Sequence, residues 1–135
     1  MNIAFDKSGG LVPAIIQDHS NGDVLMLGFM NAESFELTQR TGEVVFFSRS
    51  RNRLWKKGES SGHVLKVCDM RIDCDADALL IRVNAVGPGV CHEGYRSCFF
   101  RSVKTDGSAQ IIAQRAFAPD SVYGATTPAS TKEAK

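Results

Sequence analysis

Asn21-Gly22 sits between two apolar segments, residues 11–17 and Val24–Met30, and it constrains the fold more than any other short stretch of the chain. Asn-Gly tolerates the positive backbone angles of a tight turn, so apolar runs on either side of it specify a β-hairpin. Asn31 follows at once as a helix cap, and the spacing predicts a helix over Ala32–Thr41, with Glu36 and Arg40 four apart and Gly42 as its stop. Val44-Val45-Phe46-Phe47 is β-branched and aromatic and reads as a short strand buried on both faces. Residues 64–72 and 79–86 read as two more strands, Gly87-Pro88-Gly89 breaks the pattern, and a last strand is expected over residues 97–103. The fold class is therefore α+β: strand-dominated, a mainly antiparallel sheet with one short helix. One domain is expected over residues 1–115. The Ala-, Ser-, Thr- and Pro-rich residues 116–135 show no periodicity and read as a flexible tail.

Sixteen Lys and Arg against fifteen Asp and Glu leave a net charge of +1, which excludes a generally basic nucleic-acid binder while permitting a local patch. The longest apolar stretch, Val24–Met30, is far short of the roughly 20 residues that cross a bilayer. Residues 1–6 carry no basic segment followed by an apolar run, so no secretory signal is expected and the cytoplasm is the expected compartment. Thiols stay reduced there, and Cys68, Cys74, Cys91 and Cys98 are better read as metal ligands, nucleophiles or buried apolar groups than as disulfides. Cys68, isolated in an apolar strand, fits a buried apolar role.

Asp73-Cys74-Asp75-Ala76-Asp77 is the densest chemistry in the chain. In an extended backbone the three aspartates would share one face and Cys74 the other. Clustered carboxylates repel unless a cation lies between them, and hard oxygen ligands suit Mg²⁺ or Ca²⁺. The same residues also suit a solvated acidic turn between two strands. Cys91-His92-Glu93-Gly94-Tyr95-Arg96-Ser97-Cys98 then brings two thiols and an imidazole together. Three cysteines with one open position fit a catalytic zinc, although no Cys-x-x-Cys pair is present and small buried cysteines remain an alternative. An imidazole suits proton transfer near neutral pH, which makes His92, beside the candidate zinc thiolates, the candidate for that role. His19 lies in a turn and reads as exposed, whereas His63 follows a glycine-serine loop within reach of a ligand.

Arg49, Arg51, Arg53, Lys56 and Lys57 form a basic stretch without an acid, and Gly58-Glu59-Ser60-Ser61-Gly62 follows it. Small residues of this kind present backbone N–H groups and hydroxyls to a phosphate. Trp55 lies between the basic residues and can stack on a base or cover core. A charged stretch is as readily a solvated face.

Taken together, these motifs resemble the phosphoribosyl-AMP cyclohydrolases of histidine biosynthesis. The resemblance is carried by residues 10–18, 24–31, 47–51, 54–62, 73–77 and 91–99, in fixed order, and covers about residues 3 to 101. It implies that Asp73, Asp75 and Asp77 bind Mg²⁺ and that Cys74, Cys91 and Cys98 bind zinc. It also implies an intertwined homodimer whose zinc site draws ligands from both subunits. The implied substrate is N1-(5-phosphoribosyl)-AMP, whose N1–C6 bond is opened by zinc-activated water with His92 as proton shuttle. Arg49, Arg51, Lys57, Ser60 and Ser61 become candidates for its phosphates, and Trp55 for its base. A small phosphorylated substrate accounts for the basic stretch without a nucleic acid or a membrane. The length implies the form of the enzyme that carries this one activity. Two departures stand out: residues 87–91 make the Gly-Pro loop one residue longer than that family's pattern, and His63 replaces an expected asparagine. A zinc-dependent nucleotide deaminase and a metal-stabilised nucleotide-binding dimer without turnover are the alternative functions.

Overall fold

The computed structural model describes residues 2–120. After a 3₁₀ turn at Phe5–Ser8 come strands β1 (Val12–Asp18) and β2 (Val24–Met30), then helix α1 (Ala32–Thr41). Strands β3 (Val45–Ser48), β4 (Arg53–Lys56), β5 (Leu65–Ile72), β6 (Leu79–Ala85), β7 (Arg101–Val103) and β8 (Ala109–Ile111) complete the order. The main sheet has four strands in the order β2-β1-β6-β5, and two-stranded units are formed by β3 with β4 and by β7 with β8.

The expected hairpin is present. β1 and β2 pair antiparallel, from Val12 opposite Met30 to Gln17 opposite Val24. In the turn between them Gly22 has φ 82° and the Asn21 side chain accepts the Asp23 N–H at 2.9 Å. The sheet is mixed, because β1 also pairs parallel with β6, while β5 and β6 run antiparallel. Helix α1 begins at the predicted cap: Asn31 and Ser34 form reciprocal side-chain-to-backbone hydrogen bonds, and Gly42, at φ 75°, ends the helix by donating to the Thr38 carbonyl. Its buried face is unexpectedly polar. Ser34 and Thr38 are fully buried, and Thr38 Oγ1 accepts the Val45 N–H at 2.9 Å, which fixes the helix against β3.

The core is made by Val12, Ala14, Ile16, Leu25, Met26, Met30, Val44, Phe46, Leu65, Ile81 and Val83, all essentially inaccessible to solvent. These come from all four strands of the main sheet, with Val44 just before β3 and Phe46 within it. Gly28 lies under the Phe46 ring, where a β-carbon would sit 2.5 Å from the ring edge.

Three sequence expectations are corrected. Strand β4 falls within the stretch read only as a basic patch: Phe46 pairs with Trp55, so the charged residues flank a strand whose tryptophan packs on the core. The strand expected at 97–103 is confined to Arg101–Val103, because Ser97 and Cys98 instead bond to the edge of β2, through Ser97 Oγ to the Val24 carbonyl at 2.8 Å and Cys98 N–H to the Leu25 carbonyl at 2.7 Å. Cys68 is exposed rather than buried, since the β5–β6 register shifts between Val67 and Asp69 and leaves it on the bulge. The β7–β8 hairpin is exposed along both strands and carries Val103, Ile111 and Ile112 into solvent. At the start of the expected tail, the Ala116 and Phe117 N–H groups bond to the Gly94 carbonyl, whereas residues 121–135 lie outside the described residues.

Candidate active site

The Asp73–Asp77 segment is a turn between β5 and β6, not the extended strand that alternation assumed. Asp73 builds it. Its Oδ1 accepts the N–H groups of Asp77 at 3.0 Å and Ala78 at 3.1 Å, its carbonyl accepts Ala76 N–H, and Ala76 takes φ 65°. A side chain that satisfies two backbone donors curls the chain over itself. The result still gathers the three carboxylates, with one oxygen from each of Asp73, Asp75 and Asp77 within 4.8 Å of the others. Lys7 reaches this cluster from the N-terminal turn, 3.3 Å from Asp75 and 3.2 Å from Asp77. Hydrogen bonding to Asp77 and then to Lys7 holds the Asp75 carboxyl below the usual aspartate range. The Ala4 N–H also donates to the Ala76 carbonyl, so the N-terminal segment is tied to this turn. Cys74 is exposed, and among the described residues no thiol joins the carboxylate cluster.

Cys91 and Cys98 lie in a second turn. Val90 N–H donates to the Arg96 carbonyl and Cys91 N–H to the Tyr95 carbonyl, both at 3.1 Å, and Gly94 N–H closes back on the Cys91 carbonyl at 3.0 Å. Cys91 is buried with Tyr95 and Phe100, whose rings stack 3.7 Å apart, and the half-buried Cys98 packs against the same group. The two thiols therefore share one small apolar cluster, as their sequence proximity suggested. Cys74 forms no three-residue metal-compatible group with them among the described residues. His92 is half-buried, with Nε2 4.0 Å from the Glu93 carboxylate.

A clamp that sequence reading did not single out holds this turn. Arg96 donates to Asp18 at 2.5 Å and to Asp23 at 2.7 Å, bridging the Cys91–Cys98 turn to the two ends of the β1–β2 turn. Hydrogen bonds from Ser20, opposed by partial burial and reinforced by Arg96, lower the Asp18 pKa from its ordinary 3.8. The only sequence signal was an arginine between the cysteines and aspartates on both sides of Asn21-Gly22.

Of the basic stretch, Arg49 and Arg51 are exposed in the β3–β4 turn, and Arg49 stacks on the Phe29 ring at 3.9 Å. Ser60 is exposed and Ser61 half-buried in the following loop, where Ser61 Oγ accepts the His63 N–H. Trp55 is stacked on Phe46 with ring centres 5.6 Å apart, packed on the core. Lys57 is buried, and its ammonium donates to the Val90 carbonyl at 2.5 Å. His19 is exposed, as expected. The His63 ring lies over Gly87, where a β-carbon would come within 2.5 Å of it, and it meets Phe117 edge-on at 5.3 Å. The Gly-Ser loop and the Gly-Pro-Gly loop thus touch through a position that only glycine allows at residue 87.

Comparison with known proteins bears directly on this arrangement. A family model described as phosphoribosyl-AMP cyclohydrolase matches residues 26–100, a stretch that contains the basic turn, the aspartate turn and both turn cysteines. The phosphoribosyl-AMP cyclohydrolase of Solibacter usitatus is 55% identical, covering 92% of this chain and 98% of its own length. Those of Nitratidesulfovibrio vulgaris and Chlorobium phaeovibrioides are 54% and 52% identical over 88% and 90% of this chain. With matches of this extent across its two chemistry-bearing turns, the chain belongs to the phosphoribosyl-AMP cyclohydrolase family.

Proposed function

We propose that this protein hydrolyses the N1–C6 bond of the purine ring in N1-(5-phosphoribosyl)-AMP, a step of histidine biosynthesis. The observation that carries the proposal is the 55% identity, over 92% of the chain, to a protein named for that activity. Both chemistry-bearing turns fit the metals that the reaction would use. Three carboxylates gathered within 4.8 Å supply hard oxygen donors of the kind Mg²⁺ prefers, and Asp73, Asp75 and Asp77 would hold it. Cys91 and Cys98 supply two soft thiol donors from one cluster, and the partner subunit's Cys74 would complete the zinc set in a homodimer. Support for that dimer comes from the solvent-facing β7–β8 hairpin, whose Val103, Ile111 and Ile112 are apolar. A zinc ion held by these thiols would supply Lewis-acid chemistry, lowering the pKa of bound water towards about 7.

The chain's own groups do the rest. Substitution at N1 makes C6 electrophilic, so water adds to C6 and the N1–C6 bond breaks. His92, between the two cysteines, takes the proton from water and returns it to the departing N1. The exocyclic nitrogen stays on C6 as a carboxamide. Arg49 and Arg51, both exposed in the β3–β4 turn, and Ser60 and Ser61 in the next loop receive the phosphates. Trp55, only partly buried against the core, lines the base side.

Incubation of purified protein with N1-(5-phosphoribosyl)-AMP, Zn²⁺ and Mg²⁺ tests this. Ring opening without ammonia release, lost in Cys91→Ala and His92→Ala, is the expected result. An intact ring, or stoichiometric ammonia from a deaminase, overturns it.

A further inference from the structure

Lys57 was grouped by sequence with the phosphate-binding cations, yet it is the one member of its basic stretch that is buried, at 5% exposure. It follows β4 directly, and its ammonium lies 2.5 Å from the Val90 carbonyl and 5.4 Å from the Trp55 ring centre. An ammonium is kept out of water only where a strong acceptor compensates for lost hydration, and a charge-assisted hydrogen bond provides one. The acceptor is the carbonyl of the peptide that carries the Cys91 nitrogen. Holding that oxygen orients the peptide plane, and with it the N–Cα bond that carries the Cys91 side chain. The rest of the turn is tied down elsewhere: Arg96 by Asp18 and Asp23, Cys98 by the Leu25 carbonyl. At the start of the turn the Cys91 N–H is held by the Tyr95 carbonyl, and Lys57 holds the carbonyl of the same peptide from its other side.

We propose that Lys57 is a positioning residue, not a phosphate ligand: it sets Cys91 for metal ligation and links the phosphate-side loop at residues 58–62 to the cysteine turn. This rests on the reading of Cys91 as a zinc ligand. The link is geometrically tight. A β-carbon at Gly58, the residue after Lys57, would lie 2.6 Å from the backbone of His63, and the His63 ring in turn covers Gly87 in the loop that leads to Val90. The lysine therefore leaves a closely packed loop, and its ammonium ties that loop to the residue before Cys91.

The test uses the full-length protein loaded with Co²⁺, whose thiolate charge-transfer absorption reports cysteine ligation independently of turnover, together with steady-state kinetics. In Lys57→Met the Co²⁺ affinity, measured by chelator competition, is expected to fall about 10- to 100-fold, as for other groups that orient metal ligands. The kcat falls while KM for N1-(5-phosphoribosyl)-AMP stays within about twofold, because no substrate contact is lost. Unchanged Co²⁺ affinity with a raised KM overturns the proposal and makes Lys57 a phosphate ligand. Should Lys57→Met fail to melt cooperatively, Lys57→Gln decides. Its amide keeps a weaker, uncharged donor to the Val90 carbonyl, so Co²⁺ affinity falls by less than about tenfold with KM unchanged; a KM raised beyond about twofold refutes the positioning role. Cys91→Ala separates this outcome from failure of the underlying reading: if that variant keeps the full thiolate absorption, Cys91 is not a ligand, whatever Lys57 does.

Discussion

Replacing Gly28 by alanine tests the packing that joins the β3–β4 unit to the main sheet. Gly28 lies in β2 opposite Ala14, and an added β-carbon would fall 2.5 Å from Phe46 Cδ1 and 2.6 Å from Cε1. Carbon atoms in contact prefer about 3.5–4.0 Å, so the ring must retreat by about 1 Å. It has little room to do so, being 1% exposed and stacked on Trp55 at 5.6 Å. Overpacking of this kind costs about 1–3 kcal/mol, and the lower entropy of the unfolded alanine chain offsets about 0.4–1 kcal/mol of it. A net loss of about 1–2 kcal/mol is expected, seen as a fall in Tm of about 3–8 °C for a domain of this size. Phe46→Leu removes the ring edge that clashes, so the cost of Gly28→Ala should shrink in that background. Denaturant and thermal melts of the wild type, both single variants and the double variant give the coupling directly. An unchanged or raised Tm in Gly28→Ala, or the same cost in both backgrounds, would show that the ring does not limit this position.

The arginine clamp and the aspartate turn give two further tests. Asp18 has a folded-state pKa below its ordinary 3.8, so the stability it contributes is fully present above that value and is lost as pH falls through the folded pKa. Asp18→Asn should therefore lower Tm at pH 7 by a few degrees and converge on the wild type as the pH drops below 3.8; a pH-independent difference contradicts the assignment. At the other turn, Asp75→Asn removes one of three gathered carboxylates, and Mn²⁺ affinity followed by electron paramagnetic resonance should weaken about tenfold. Equal Mn²⁺ binding by the variant would remove Asp75 from the ligand set.

Local signals were legible in the sequence and long-range ones were not. Asn21-Gly22 specified the β1–β2 hairpin, and Asn31 and Gly42 bounded the helix to the residue, because a turn or cap is satisfied by neighbours in the chain. The parallel pairing of β1 with β6 has no such signal, since only tertiary contact brings Ala14 beside Leu79. Strand β4 was hidden because Arg53 and Lys56 face solvent partners, Glu59 and Glu43, and only Leu54 and Trp55 carry an apolar pattern. At the candidate site the residue types were readable and their conformation was not. The aspartates gather because Asp73 captures two backbone N–H groups, a competition that strand alternation ignores. Lys57 looked like its basic neighbours, and its burial depends on where the Val90 carbonyl arrives from 33 residues away.

The β1–β6 ladder also dictates when this molecule can become a folded one. Gln17 meets Arg82 across 65 residues of chain, whereas the β1–β2 turn closes within the span from Asp18 to Asp23. Loop-closure entropy alone makes the long closure cost about 4 kcal/mol against about 1.5 kcal/mol for the short one. During synthesis one edge of β1 therefore has no partner strand until β6 has left the ribosome. β6 fills the gap between β1 and β5 and in the same event brings the aspartate turn into place at its own start. Closing the sheet and anchoring the aspartate turn between its neighbours thus fall to the same strand, and a chain that stops short of Leu79 cannot close the sheet.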